Sequence, residues 1–442
     1  MYAYEKRVRA PSRPLSTTSS QRDLSRFFSC ADFCTGRVAS SPRKMQTSTP
    51  KLLPTPLPPN PYSPITHPGW HTAFDSCVTL ERAASWADLE PSHQLAEASP
   101  DVDVVMLQTS PEVAGRTLGY ALVHAPNDGV RVGRDCVARE INGCEGDPEI
   151  LAGLAHVYIF GLIRIFTNPS GPTPIDESPC FAFDAIAQGE DDQTTGLTPK
   201  WLTKKLLPRD HHSCALTEKL DIASMERGEI DPYTMQLSRG GGYLRVAHII
   251  SQPLSDSTEG ICGMTEAARD KLRWASSPVA VLARLAGVDI LTVLPNLDAE
   301  HPANAFMADH APHKMFDRLK LWLTPSSDDE GNVLADTYDT HLQNPLLAPL
   351  IRLRPQARFR QSTTPDSGVE VPPPSRALLD IHAACAKVAH MSGAAQVLDD
   401  FYGEEGASHG QALSRQDMSP SPAGAHELVR ALKRAKVGEA CI

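Results

Sequence analysis

The chain has 442 residues, 41% of them hydrophobic and 21% charged, which is room for about two or three domains with at least one sizeable core. Its formal net charge of −11 excludes a protein that draws nucleic acid to its whole surface, so any such binding needs a locally basic face. No run of about eighteen apolar residues occurs; the longest candidate, "LAHVYIFGLIRIF" (Leu154 to Phe166), is too short for a membrane span and carries His156 and Arg164.

Proline is concentrated at the start of the chain, where eleven of the 38 precede Gly69. Residues 1–70 therefore read as a disordered Pro/Ser-rich leader, too poor in apolar surface to offset the entropy of ordering. The first 44 residues, rich in Ser and Arg, resemble an organellar transit peptide in composition, but Glu5, Asp23 and Asp32 favour ordinary disorder. The ten cysteines contain no CxxC pair and point to reduced thiols in an intracellular protein, nuclear or cytoplasmic, rather than to a disulfide framework or a four-cysteine zinc site.

From about Asp75 the composition becomes ordinary. "AGRTLGYALVHAP", "RDCVAREINGC" and "PEILAGLAHVYIFGLIRIF" place apolar residues at helical spacing, as in Leu118 with Leu122 and Val137 with Ile141. Residues 75–170 are expected to form a mostly helical N-terminal unit in which His124 and His156 are packing residues. "TNPSGPTPIDESP" reads as a linker.

A second unit, residues 200–345, opens on a basic stretch with Lys200, Lys204, Lys205 and Arg209. A Gly run then leads into the strand-like "LRVAHII". "TEAARDKLRWASSPVAVLARLAG" reads as one or two helices, "NAFMAD" as a short strand, "SSDDEGN" as a turn and "ADTYDTHL" as a returning strand. "HKMFDRLKLWL" has the strongest helical pattern: Met315, Phe316, Leu319, Trp322 and Leu323 share one face, and Lys314, Arg318 and Lys320 the other. Residues 346–442 read as loosely structured, with helix-like "ALLDIHAACAKVAHM" and "HELVRALKRAK". The expected class is α+β.

The polar residues of the second unit carry a chemical signal. Cys214 lies in "HSCALT", His248 stands in the middle of an apolar, strand-like run, Asn304 opens the next strand, and His313 begins a helix. The stretch "RDHHSCALTEKLD…LRVAHII…HPANAFMADHAPHKMFDRLKLWL", about Leu207 to Leu342, resembles the HNH nuclease domain of fungal proteins, a ββα-metal fold. The upstream "LGYALVHAP" and "AREINGC" also look like what precedes that domain in such proteins. The resemblance implies a metal-dependent endonuclease that hydrolyses phosphodiester bonds of DNA. His248 would be the general base, Asn304 its positioning residue, and His313 a ligand to a divalent metal, Mg²⁺ or Mn²⁺ first and Zn²⁺ as an alternative. The chemistry suits the residue types, since a histidine titrates near neutrality and phosphodiester hydrolysis needs an activated water and a cation.

Two departures from the pattern matter. HNH domains often place a metal ligand just before the general base, and here that position is Ala247. Asp317, one helical turn after His313, is the candidate substitute, equally readable as a helix-surface carboxylate. The separation of His248 from Asn304 is also long and implies an insertion. His211, His212, His301 and His310 crowd the region and read as solvent-exposed, with His310 a reserve ligand, while Cys214 reads as packed. Two functions remain open on the residues: an active nuclease, or an HNH-fold binding module whose metal site has been impaired. On the second reading His248 is a core histidine bonded to a backbone carbonyl.

Overall fold

The computed structural model describes residues 51–85, 109–126, 132–167, 200–250, 300–363 and 370–402, with some positions between 282 and 298. The leader before residue 51, the linker, most of the insertion with "TEAARDKLRWASS", and the final "HELVRALKRAK" lie outside the described residues.

Among the described residues the N-terminal part contains the helices α1 (Pro68–Arg82), α2 (Pro111–His124), α3 (Gly133–Gly143) and α4 (Pro148–His156). Proline stands at the first turn of α1 and α2, where its missing N–H costs nothing, and the Ser110 hydroxyl caps α2 by accepting from the Val113 N–H. α1 and α2 cross backbone to backbone at Gly115, where an added Cβ would stand 2.6 Å from the Cys77 carbonyl oxygen and the Glu81 nitrogen. The long helix expected after Pro148 is only partly regular. It widens into a π-helical stretch at Val157–Leu162 and tightens to a 3₁₀ turn at Ile163–Phe166. The π-helical stretch carries the buried Tyr158, whose hydroxyl donates to Glu140, itself ion-paired with buried Arg284.

Residues 51–67 contain no helix or strand but are bonded in place: the Leu52 N–H donates to the Gln343 carbonyl, the Thr55 N–H to that of Met391, and the Leu57 N–H to Glu81. This last part of the expected leader is therefore ordered without regular structure.

The central part begins with α5 (Lys200–Arg209), followed by the short parallel pair β1 (Leu220–Asp221) and β2 (Gly241–Gly242). Between these two strands lie two short helices, α6 (Ile222–Glu226) and α7 (Pro232–Leu237), each capped by an aspartate, Asp221 and Asp231. β3 (Leu244–His248) and β4 (Ala305–Asp309) form an antiparallel pair in the register His248↔Ala305 to Leu244↔Asp309, and α8 (His310–Phe316) follows β4 directly. A three-stranded antiparallel sheet completes this part, with β6 (Val333–Leu342) between β5 (Leu321–Ser327) and β7 (Gln356–Arg358), plus the small pair β8 (Ser362–Thr363) and β9 (Glu370–Val371). The architecture is α+β.

The single helix expected over "HKMFDRLKLWL" is corrected. Its first half is α8 and its second half begins β5. Leu319 adopts φ +55°, the Lys320 N–H donates to the Met315 carbonyl and the Leu319 N–H to that of Phe316. This is a Schellman ending made by leucine where glycine is usual. Leu319 is buried, so packing holds it in a backbone conformation that its side chain disfavours.

The C-terminal part is firmly built. α9 (Arg376–Ser392) buries Leu378, Leu379, Ile381, Cys385, Ala386 and Val388 against α2 and β5, and α10 (Ala394–Tyr402) follows after Gly393 in the left-handed conformation. Two histidines of α9 satisfy carbonyls freed where α8 ends: His382 Nε2 is 3.3 Å from the Phe316 oxygen and His390 Nε2 is 3.1 Å from that of Leu319. The His382 ring also stacks on Phe316, with centroids 3.8 Å apart. One hydrophobic cluster runs through α1, α2, α4, α8, β5 and α9, and a second, smaller one joins α5 to β3 and β4. Among the described cysteines, Cys77, Cys144, Cys214 and Cys385 are free and buried, and Cys136 is disulfide-bonded, against the expectation of reduced thiols throughout. No helix of the described residues is long and apolar enough to cross a membrane.

Burial lowers the pKa of His382 to about 3, and those of His124, His156 and His390 to about 4. The unfolded chain, with histidines near 6.5, takes up protons that these four refuse, so their stabilisation is complete above pH 6.5 and is lost as pH falls toward 4. We expect the melting temperature to drop between pH 7 and pH 5. His382→Phe, which retains the stacking, should reduce that slope by about one proton, or roughly 1.4 kcal/mol per pH unit. Melting curves across this range check it; an unchanged slope contradicts the assignment.

Candidate functional site

The site is built on the β3–β4 pair and its two coverings. Residues directly opposite in an antiparallel ladder share a face. Val246, Ala305 and Met307 form one face, packed under Leu202, Leu206 and Leu207 of α5. Ala247, Phe306 and Ala308 form the other, where the Phe306 ring meets Phe316 of α8 edge-on at 5.1 Å. His248, last in β3, continues the Val246 face by alternation.

Asn304 ends a 3₁₀ turn (Pro302–Asn304) and is fully buried. Its side chain pairs with the backbone just beyond His248: the Ile250 N–H donates to Oδ1 (3.0 Å) and Nδ2 donates to the Ile250 carbonyl (3.2 Å). The Ile249 N–H donates to the Asn304 carbonyl (2.7 Å). Asn304 thus fixes where β3 ends, and with it the position of His248.

The turn is held by the last residue of the basic stretch that opens this unit. Arg209 is buried, and all five of its N–H donors are used. Nε and Nη2 reach the two oxygens of Asp210 (2.8 and 3.0 Å), Nη1 the carbonyls of Pro302 and Pro372 (both 3.0 Å), and Nη2 also that of Ala305 (2.8 Å). Asp210 in turn accepts from the Met307 N–H (2.7 Å), and the Ser375 N–H donates to the Ala303 carbonyl (2.8 Å). Each carbonyl from Pro302 to Ala305 is therefore held from outside the turn.

Each candidate histidine has its own carboxylate. His248 Nε2 lies 3.2 Å from Glu300 Oε2, with the imidazole mostly buried. Glu300 was not anticipated; the only signal in the sequence was a carboxylate four residues before Asn304. His313 Nε2 lies 3.2 Å from Asp317 Oδ2, both side chains about nine-tenths buried, so the proposed partner of His313 is in place. Among the described residues no hydrogen bond or ion pair joins His248 to His313, and α8 covers the hairpin face opposite to that of His248. Ala247 is sealed beneath α8, and no group of three or more His, Cys, Asp or Glu side chains among the described residues could hold a metal ion.

The remaining polar residues have structural partners. His211 and His212 both have positive φ and close the end of α5, and His212 Nδ1 lies 2.9 Å from the Ser224 hydroxyl. Burial lowers the pKa of His212 against the nearby carboxylates Glu229 and Asp221. The His301 ring accepts from the Ala303 N–H through Nδ1, and burial lowers its pKa against the pull of Asp298. His310 is exposed, its pKa lowered by burial and by the charges of Arg245 and His313. The Cys214 thiol accepts from the Asp309 N–H (3.2 Å), and burial raises its pKa. Asp309 pairs with Lys219 at 2.6 Å. No protein-family model, curated protein or solved structure matches the chain.

Removing either anchor should be costly. Asn304→Ala leaves a buried N–H and carbonyl of Ile250 unpaired and should cost about 2–4 kcal/mol. Arg209→Ala strands the buried Asp210 carboxylate and should cost about 3–5 kcal/mol. Chemical denaturation of both variants checks this, and a loss under about 1 kcal/mol for either contradicts the assigned role.

Proposed function

We propose that the β3–β4–α8 unit is an HNH-type endonuclease site that hydrolyses phosphodiester bonds of DNA. The observation that carries this reading is Asn304: buried between the two histidines in sequence, it clamps the backbone beside the first of them, as a positioning residue for a general base would. The strand–strand–helix order and the two His–carboxylate pairs support it.

His248 is the proton acceptor on this reading. With Nε2–H directed at Glu300, Nδ1 carries the lone pair, takes a proton from the attacking water, and the resulting imidazolium is stabilised by the carboxylate. The water oxygen bonds to phosphorus as the bond to the leaving oxygen breaks. His313 and Asp317 would hold a divalent cation. Their donor atoms are 3.2 Å apart, close to the roughly 3 Å between neighbouring ligands of an octahedral ion bound at 2.0–2.1 Å. Mg²⁺ commonly takes only one or two protein ligands beside water and phosphate, so a pair is a sufficient protein contribution. A bound cation would neutralise charge developing on the phosphate and favour deprotonation of water. The reading requires one phosphate to reach both the His248 face and the α8 face of the hairpin.

A binding module of the same fold is the second reading, favoured by Ala247 and by the small donor set. Nicking of supercoiled plasmid with Mg²⁺ or Mn²⁺ separates the two. His248→Ala should lower the rate about 10²–10⁴-fold with little change in melting temperature. Asp317→Asn and His313→Ala should lower activity in a way that excess Mn²⁺ partly restores. Wild-type protein that does not nick with either metal favours the module.

A further inference from the structure

The hairpin face that carries His248 is covered by α5, and the two sides of that helix differ sharply. Leu202 and Leu206 are fully buried against the hairpin, whereas Lys200, Trp201 and Lys204 are exposed and Lys205 is half-buried. Trp201, Lys204 and Lys205 follow helical spacing and share one face. The indole is 43% exposed, and Lys205 Nζ stands 4.8 Å from its ring centroid. Among the described residues no carboxylate is ion-paired with Lys200, Lys204 or Lys205, although acids outnumber bases by 53 to 42 over the chain. The patch adjoins the site, because α5 packs on the hairpin face that carries His248 and its last residue, Arg209, bonds the Pro302 carbonyl two residues from Glu300.

An exposed tryptophan among ammonium groups matches a chain of alternating flat rings and negative charges. Bases offer the rings and phosphates the charges. A duplex keeps its bases stacked and leaves the indole without a ring to cover, while an acidic peptide would use the lysines alone. We propose that the outer face of α5 binds single-stranded polynucleotide, with Trp201 stacked on a base and Lys204 and Lys205 on flanking phosphates, leading the strand toward His248. Only the direction of the strand rests on the nuclease reading; the binding does not.

The full chain would be titrated with fluorescein-labelled oligothymidylate in EDTA, so that no cleavage occurs, and anisotropy followed across a salt series. Trp201→Ala should weaken single-strand binding roughly 5- to 100-fold and leave binding to a duplex of equal length unchanged. Lys204→Gln and Lys205→Gln should each lower the salt dependence by about 0.7 in log–log slope. Trp201→Phe should retain most of the affinity, and it decides the question with the lysine variants if Trp201→Ala melts early. The proposal is overturned by wild-type protein that does not bind at low salt, by Trp201 variants that bind as wild type or lose duplex and single strand alike, or by polyglutamate competing as well as unlabelled oligothymidylate. Binding as expected without nicking would overturn the nuclease reading and leave this one standing. Nicking with α5 variants indifferent would do the reverse.

Discussion

The arrangement depends on one buried guanidinium. Arg209 is the last residue of α5, yet its five donors join Asp210, the turn before β4, the first residue of β4 and the segment leading to α9. A buried cation is tolerable only when every donor is matched and a counter-charge is adjacent, and Asp210 supplies that charge while bonding β4 itself. Lysine could not replace it, since a point ammonium has neither the planar fork nor the fifth donor. Through this residue the helix over one hairpin face, the turn bearing Asn304 and the C-terminal segment become one structure.

The hairpin then divides its chemistry by alternation. His248 shares its face with side chains packed under α5, and Ala247, one residue earlier, lies under α8 in contact with apolar neighbours. Position 247 lies on the face covered by α8, the helix that carries His313 and is capped by Asp317, and its alanine supplies no polar atom there. Glu300 meanwhile gives His248 a carboxylate of its own, so the two pairs are built independently on two sides of a two-stranded scaffold.

Much of this was legible in the sequence where local pattern decides. "NAFMAD" and "ADTYDTHL" read as strands and lie largely in β4 and β6, and the helices from α2 to the start of α4 follow their apolar spacing. The reading failed where distant packing overrides local pattern. "HKMFDRLKLWL" is amphipathic throughout, yet Leu319 is forced into a left-handed turn whose exposed carbonyls are met by His382 and His390, more than sixty residues away. Arg209 reads only as one member of a basic stretch, because nothing near it announces the carbonyls of Pro302, Ala305 and Pro372. The pairing of His313 with Asp317 was accessible because both lie on one helical turn, whereas Glu300 reaches His248 only through the closure of a long insertion.

On the proposed reading, His313 and Asp317 would hold a divalent cation on this scaffold. The most direct measurement of this is Mn²⁺ titration of protein with isotopically labelled histidines, followed by NMR. At substoichiometric Mn²⁺ the His313 ring signals should broaden first, with those of His124 and His156, in the N-terminal helices, unaffected, and Asp317→Asn should shift the effect to higher Mn²⁺. Uniform broadening, or selective broadening that spares His313, would contradict the account.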